Sequence, residues 1–461
     1  MKLPTIEQLN PEQSNALQRL QEFCSQPPKE GDLQAIRMSG PPGSGKTTTL
    51  VLSMLSIAGP ALTDPTSTLP PILITAPTNK ATRQLRVMLD NVGVRFETTT
   101  IYKALGMRLM DSGEVRHVTR ASDEPAASKF RIVVVDEYSM LPRKVTEELA
   151  NVALRFNLKL IFLGDDDQIP PVKESHSPVS ALVQDFMELL KIERSDAGSP
   201  IQATVHEIRQ KIRNKDYREM WLSPSNDPKL GGQYILSPGD WMSHFKAQAK
   251  ACWDSGNIDH SRAIAYTNAR VDFLNDQARK FIHGEDVKRF IRNETLIIAS
   301  PVIDHEEKFT IFPTDEEVVV DEVVENVEIH DEVAQTGAWK CWQLYVHERG
   351  GSGQQVLTIL HESERQAFDK ALNDIKKICY TDRSQWSKLF YPFQEQFNQV
   401  KYPYAITAHR SQGSTYHTVF VDAKNMQAYL GGTLSPDLYW RLIYVGTSRA
   451  KFNVAFNHGA L

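Results

Sequence analysis

Three stretches of this chain set phosphate-binding glycines beside a cation, two carboxylates and an uncharged amide. Gly40-Pro41-Pro42-Gly43-Ser44-Gly45-Lys46-Thr47 reads G-x-x-x-x-G-K-T. Glycines at 40, 43 and 45 let backbone N–H groups turn onto phosphate oxygens, because no Cβ blocks the approach. Lys46 can reach the β/γ-phosphates, Thr47 can offer its hydroxyl to Mg2+, and Ser44 and Thr48 flank them. Ile132-Val133-Val134-Val135-Asp136-Glu137 then delivers two acids, Asp136 to hold Mg2+ and Glu137 to align and deprotonate an attacking water. In Gly164-Asp165-Asp166-Asp167-Gln168, the Gln168 amide suits sensing a γ-phosphate without competing for the proton.

These groups converge only if particular elements carry them. The apolar run at 35–38 predicts a strand into the glycine loop, and 48–58 a helix whose N-terminus faces the anion. Residues 72–76, 132–135 and 158–163 read as short buried strands. Three strands that each end in a polar cluster predict a parallel sheet with one shared ligand edge. Asn10, Pro11 and Gln13 open an earlier helix with capping-box spacing. Gln13 is therefore a cap or an adenine-reading amide, and the residues leave both open. Asn79-Lys80 begins a guanine-reading pattern, but Thr82 breaks it. The segment 107–119 alternates around Asp111-Ser112-Gly113 and predicts a hairpin.

Composition sets the bounds. A chain of 461 residues with 41% hydrophobic and 24% charged residues is expected to form two to four soluble units. The start predicts no signal peptide, and no apolar run approaches a membrane span. Four scattered cysteines without a C-x-x-C pair predict a reduced, cytoplasmic setting and no structural zinc. Gln210 stands where a zinc-protease motif begun at His206-Glu207 would need its second His. The net charge is −5, yet residues 315–332 hold nine acids and no Lys or Arg, and the rest carries +4. That distribution permits a basic nucleic-acid groove.

Beyond Pro200 an α/β pattern restarts, with helices at 201–212, 241–252 and 271–281, a strand at 263–268 and a loop-rich stretch at 223–240. It resumes after 405 with strands at 418–421 and 453–456. Between them, strand candidates at 295–299, 317–320, 323–329, 339–346 and 354–360 predict a small inserted barrel with the acid run as its solvated face. A helix at 362–379 and an aromatic group at 386–397 follow and predict a small core. This second half lacks a phosphate loop but carries isolated arginines, Arg194 and Arg449. An arginine brought from a facing domain accelerates phosphoryl transfer by roughly 10³–10⁵ and ties hydrolysis to domain closure.

The order of G-P-P-G-S-G-K-T, A-P-T-N-K-A, V-V-V-D-E, G-D-D-D-Q-I-P-P-V, T-A-H-R-S-Q-G-S-T and Y-V-G-T-S-R-A resembles the superfamily 1 helicases of the RecD-like subgroup. The resemblance spans almost the whole chain and is weakest between 283 and 400. It implies an α/β fold of two RecA-like parallel-sheet motor domains, residues 1–192 and 193–282 with 402–461. A pin hairpin at about 106–122 interrupts the first, and an SH3-like β-barrel with a helical extension, 283–401, the second. It also implies ATP-driven 5′→3′ translocation on single-stranded DNA and separation of duplex or forked DNA.

Carried over by residue, Gln13 meets adenine, and Gly40, Gly43, Ser44, Gly45, Lys46, Thr47 and Thr48 hold the nucleotide. Thr47 and Asp136 hold Mg2+; Glu137 meets water; Gln168, Arg194 and Arg449 surround the γ-phosphate. Pro77, Thr78, Asn79, Thr100, Thr267, Asn268, Thr407, His409 and Ser411 line the DNA track, with contacts to phosphate and sugar. The pin departs from the family, with His117 but no Phe, Trp or Tyr between 107 and 120. The resemblance further implies a monomer in a bacterial or phage-infected cytoplasm, with replication or single-strand-binding proteins as partners. An RNA-directed motor and a nucleotide-switched remodelling ATPase are the alternatives.

Overall fold

The computed structural model describes residues 5–63, 72–93, 96–109, 115–117, 124–171, 174–191, 199–303, 310–351 and 353–461. It divides into two compact units, Met1–Leu274 with Ala405–Leu461, and Asn275–Tyr404.

The first unit contains two six-stranded sheets. One is built from β1 (Gln34–Ser39), β2 (Ile72–Ala76), β3 (Glu97–Thr100), β4 (Ile132–Val135), β5 (Lys159–Gly164) and β6 (Phe186–Glu188), in the order β3-β2-β4-β5-β1-β6. All its pairings are parallel. The other comprises β7 (Ser225–Asp227), β8 (Gly231–Ile235), β9 (Ser261–Ala265), β10 (Ala405–Thr407), β11 (Tyr416–Val421) and β12 (Ala450–Phe456), in the order β10-β9-β11-β12-β8-β7. Only the β7–β8 edge is antiparallel. Apart from one extra edge strand in each, the two sheets share one topology: third, second, fourth, fifth and first in chain order. The sequence carries no internal period to announce this.

Parallel strands need crossovers, and the helices that supply them cover both faces. Ile132 and Val134 of β4 pack into a core with Leu20 of α1 (Pro11–Ser25), Leu50 and Met54 of α2 (Lys46–Thr63), and Leu85 of α3 (Asn79–Asp90). Val133 and Val135 face the opposite core, with Tyr138, Leu149 and Phe162. A run of four β-branched residues is what a strand buried on both sides requires.

The expectation of a loop at 223–240 is corrected: β7 and β8 lie there. The signal is weak because β8 begins Gly231-Gly232. A Cβ on Gly231, at φ +90°, would fall 1.7 Å from the Phe452 carbonyl oxygen, so this glycine serves the close approach of β12 rather than a turn. The strand expected over 263–268 ends at Ala265, and Asn268 already belongs to a helix, Asn268–His283. The short edge strands β3 and β6 gave no sequence signal. The hairpin expected at 107–119 is present in its described part, Met107–Leu109 pairing antiparallel with Val115–His117. Asp111-Ser112-Gly113 lies outside the described residues.

The second unit is an antiparallel sheet in the order Gln354–Leu360, Ala338–Glu348, Glu317–His330, Thr295–Ile298, Val400–Lys401. The strands expected at 317–320 and 323–329 are one continuous strand whose register shifts after Val320 and again after Val324. Val318 and Val320 face the core while Glu322, Glu325, Glu328 and Glu332 are exposed, so part of the acid run is a solvated face, but Glu316 and Asp331 are buried. Asn398 N–H donates to Thr358 O, and Thr358 N–H to Asn398 Oδ1, both at 2.8 Å, linking one edge strand to the residues that enter the other. Phe368 of the helix Arg365–Thr381 packs with Trp339, Phe390, Phe393 and Phe397, the small aromatic core expected there. Among the described residues, no helix is long and apolar enough to cross a membrane.

Candidate functional site

The glycine loop joins β1 to α2, and Lys46 is already the first residue of that helix. Gly43 and Gly45 hold φ of +88° and +86°, the left-handed backbone that favours glycine. Gly40 has no room for a side chain, since a Cβ would lie 2.4 Å from Leu189 O. Lys46 Nζ donates to Gly40 O at 2.6 Å and Pro41 O at 3.1 Å, so the ammonium sits inside the loop's own concavity. Burial lowers its pKa, against the opposing pull of Asp165, Glu137 and Asp136. Ser44 Oγ is buried without a hydrogen-bond partner. Thr47 and Thr48 are half-buried in the first turn of α2.

Gln13 is a cap and more. Its N–H donates to Asn10 Oδ1 at 2.9 Å, its Oε1 accepts from Asn10 N–H at 3.2 Å, and its Nε2 donates to Ser44 O at 3.1 Å. The capping box therefore also braces the phosphate loop.

Asp136 and Glu137 leave the carboxyl end of β4. Asp136 N–H donates to Thr75 O at 2.8 Å, and Glu137 N–H to Asp136 Oδ1 at 2.9 Å. Burial, with Glu137 beside it, pushes the Asp136 carboxyl up to about 7, although Lys46 and the Glu137 N–H oppose the rise. Glu137 holds φ +54°, a strained conformation for a residue with a side chain.

The turn after β5 carries Gln168, buried at 3% exposure. Gln412 Nε2 donates to Gln168 Oε1 at 3.4 Å and to Ile169 O at 3.1 Å, bringing the second sheet's residues onto this turn. Arg449, at the C-terminal end of α5 (Pro436–Ser448), is buried, with Nη1 donating to Ser414 O at 3.3 Å and Nε left without a partner. Burial lowers its pKa while Glu137, Tyr444 and Asp165 oppose. Lys46 from one sheet and Arg449 from the other thus feel the same two carboxylates, Glu137 and Asp165. Gly413 lies near Glu137 as well: a Cβ there would sit 3.8 Å from Glu137 Oε1. Arg194 lies outside the described residues.

Four of the remaining sequence-selected residues share a local role. Thr78, Thr100, Thr267 and Thr407 follow or end β2, β3, β9 and β10, and each hydroxyl oxygen accepts a backbone N–H of the next helical turn. The donors are Ala81, Lys103, Arg270 and Arg410, at 3.2, 3.3, 3.3 and 3.4 Å. Thr100 pairs with Ala76 in the first sheet as Thr407 pairs with Ala265 in the second, so the two pairs hold matching places in matching sheets. Pro77 is buried, Asn79 half-buried and Asn268 exposed. Ser411 Oγ–H is committed to Ala408 O at 2.7 Å, and burial lowers the pKa of His409. Lys80, next to Asn79, reaches the second sheet, with its ammonium 5.7 Å from the centre of the Tyr416 ring.

The chain is similar to known proteins over most of its length. Residues 8–219 match an AAA domain, and residues 402–455 a UvrD-like helicase C-terminal domain. The ATP-dependent DNA helicase dda of Enterobacteria phage T4 is 25% identical over 451 residues, covering 91% of this chain and 94% of its own. The RecBCD enzyme subunit RecD of Buchnera aphidicola is 27% identical over 146 residues, 29% of this chain and 22% of its own. Over most of its length this chain is similar to superfamily 1 helicases. The Pif1 helicase of Candida albicans aligns over 98% of this chain and 95% of its own, at 14% identity and a TM-score of 0.47.

Within this chain the sequence reading passed over Gln412, Gly413, Arg441 and Tyr444. Arg441 Nη1 donates to Asp166 O at 2.6 Å and Gln168 O at 2.9 Å, and Tyr444 OH to Asp165 Oδ2 at 2.6 Å. Gln412 and Gly413 sit inside a stretch already singled out. Tyr444 opens the Y-V-G-T-S-R-A stretch, also singled out, whereas Arg441 looks like an ordinary position of an amphipathic helix. Asp136 and Glu137 outnumber the single ammonium beside them, and with the Thr47 hydroxyl they offer the hard oxygen ligands a divalent cation takes.

Proposed function

We propose that the chain is an ATP-driven helicase that translocates 5′→3′ along single-stranded DNA and separates duplex strands. The observation that carries this reading is the meeting of two sheets of one topology at the turn after β5, where Gln412 bonds Gln168, Tyr444 bonds Asp165 and Gly413 comes up to Glu137. A nucleotide at that meeting point is touched by both lobes, and its hydrolysis changes what holds them together.

In the proposed cycle Lys46 leaves the Gly40 and Pro41 carbonyls for the β/γ-phosphates, cradled by Gly40, Gly43, Ser44, Gly45 and Thr48. Gln13 meets the adenine. Mg2+ held by Thr47 and Asp136 would neutralise phosphate charge. Glu137 orients the attacking water and accepts its proton; Gln168 contacts the γ-phosphate, and Arg449 and Arg194 supply positive charge as the bond breaks.

The nucleic-acid track runs across Pro77, Thr78, Asn79 and Thr100 in the first lobe and Thr267, Asn268, Thr407, His409 and Ser411 in the second. The capping threonines Thr78 and Thr267 suit it: both are half-buried, and each hydroxyl oxygen is engaged by a backbone N–H, leaving the O–H to donate to a phosphate oxygen. The hairpin Met107–Leu109 with Val115–His117 is read as the strand-separating pin. The second unit's sheet is read as an SH3-like barrel, on the support of the Asn398–Thr358 link between its edges.

The deciding experiment is unwinding of matched duplexes with a 5′ or a 3′ single-stranded tail, with ATPase stimulation by DNA and RNA oligomers measured alongside. Unwinding from 5′ tails with stimulation by DNA is expected. Unwinding from 3′ tails alone would overturn the polarity, and stimulation by RNA alone the choice of DNA.

A further inference from the structure

The turn at 165–169 is held by the second sheet's elements at every residue. Tyr444 bonds Asp165, Arg441 bonds the Asp166 and Gln168 carbonyls, and Gln412 bonds Gln168 and Ile169. The fifth residue, Asp167, is held by charge. Arg209 and Arg213, one turn apart on α4 (Pro200–Asn214), both donate Nε–H to Asp167 Oδ2, at 2.6 and 2.8 Å. Both also donate from Nη2 to Glu188 Oε1, Arg209 at 3.2 Å. Two guanidiniums thus balance two carboxylates, with Asp167 and Arg209 almost fully buried.

The placement of the two acids matters more than their number. Asp167 follows β5 and Glu188 ends β6, and these are the strands on either side of β1. The phosphate loop leaves β1 between them, with Gly40 N–H bonded to Gly164 O at 3.1 Å and Leu189 N–H to Ser39 O at 2.9 Å. α4 itself packs on α5 and on β8 of the second sheet. One helix of the second lobe therefore grips both neighbours of the phosphate-loop strand through four bonds that converge on two oxygen atoms. Such a cluster adds little net stability over apolar packing, but it tolerates only one register.

We infer that Arg209 and Arg213 are positioning residues, a charge latch that sets the second lobe against the phosphate loop and transmits occupancy of the nucleic-acid track to hydrolysis. The inference rests on the reading of the chain as a nucleic-acid-stimulated ATPase. Neither arginine needs to touch nucleotide; each acts through Asp167 on the turn that carries Gln168, and through Glu188 on the strand beside the loop.

The test compares ATPase kinetics of the full chain with and without saturating oligothymidylate for Arg209→Met, Arg213→Met and Asp167→Asn. Unstimulated kcat and the KM for ATP are expected to stay within about twofold of wild type, while stimulated kcat falls about tenfold or more. Arg209→Lys, which keeps the charge but loses the fork, should recover part of the loss. If Arg209→Met does not fold, Glu188→Gln at the more exposed end of the cluster carries the same expectation. Equal loss of basal and stimulated rates would make the cluster a structural prop, and full stimulation in every variant would remove the latch. A wild type that no nucleic acid stimulates would overturn the functional reading and the latch with it. A stimulated wild type with equally stimulated variants would overturn the latch alone.

Discussion

Tyr444 donates its hydroxyl to Asp165 Oδ2 at 2.6 Å and so ties the last long helix of the chain to the turn that follows β5. Burial raises the pKa of both groups, and Asp167 adds to the rise at Asp165. Tyr444→Phe leaves a buried carboxyl short of a donor at almost unchanged volume. A loss of about 1–3 kcal/mol is expected in urea unfolding. A change below about 0.5 kcal/mol, the range of ordinary surface substitutions, would show that the bond contributes nothing net.

Glu137 carries both the proposed base and a strained backbone. Glu137→Gln is expected to bind nucleotide normally and to lose about 10²–10⁴ in turnover. Glu137→Gly should lose turnover equally yet be more stable, by about 1 kcal/mol, since glycine relieves the left-handed conformation. Thermal unfolding and ATPase assays on the two variants separate these effects. Normal hydrolysis by Glu137→Gln would remove the residue from the chemistry. Lys46→Met should abolish hydrolysis outright, because it removes the ammonium held against the Gly40 and Pro41 carbonyls of the loop.

The Asp136 carboxyl gives a pH dependence with a definite sign. Its pKa, about 7 in the folded chain, exceeds the ordinary 3.8, so the folded state holds the proton more tightly than the unfolded state. Its contribution to stability is therefore full below the ordinary value and is lost as pH rises through about 7. In metal-free, nucleotide-free buffer, Asp136→Asn should gain on wild type between pH 5 and pH 8, when both are unfolded by urea. A pH-independent difference between the two would contradict the raised pKa.

Gly45 is constrained by conformation and by neighbour. A Cβ there would lie 2.4 Å from Gln13 Nε2, at φ +86°. Gly45→Ala should cost about 1–2 kcal/mol from the left-handed backbone, and break the Gln13 bond to Ser44. Nucleotide affinity should fall about tenfold or more, as titration with a fluorescent nucleotide would register. Unchanged affinity would mean that the Gln13 brace is dispensable.

Much of this arrangement was legible because it is local. Four β-branched residues before Asp136 fix a doubly buried strand, and Gly43, Gly45 and Lys46 fix a phosphate loop, whatever surrounds them. What escaped depended on neighbours far along the chain. β8 hides behind two glycines because β12 passes over it, and Tyr444 and Arg441 acquire meaning only where α5 meets the turn at 165–169. Gln13 shows the intermediate case: its capping spacing was readable, but its bond to Ser44 joins residues 31 positions apart. The shared strand order of the two sheets left no internal repeat in the sequence, only the ordered motifs that imply two domains of one fold, since topology constrains which positions are buried and not which residues fill them.

The four capping threonines have a further consequence. Once each hydroxyl oxygen has accepted its backbone N–H, one lone pair and the proton remain. On Thr78 and Thr267, which are half-buried where Thr100 and Thr407 are buried, that proton is open to a ligand. Such protons look for acceptors, and a nucleic-acid backbone supplies equivalent ones at every repeat, whatever bases it carries. A strand moving over them would meet the same corrugation at each nucleotide, with no deep well to stall in and no preferred place to stop.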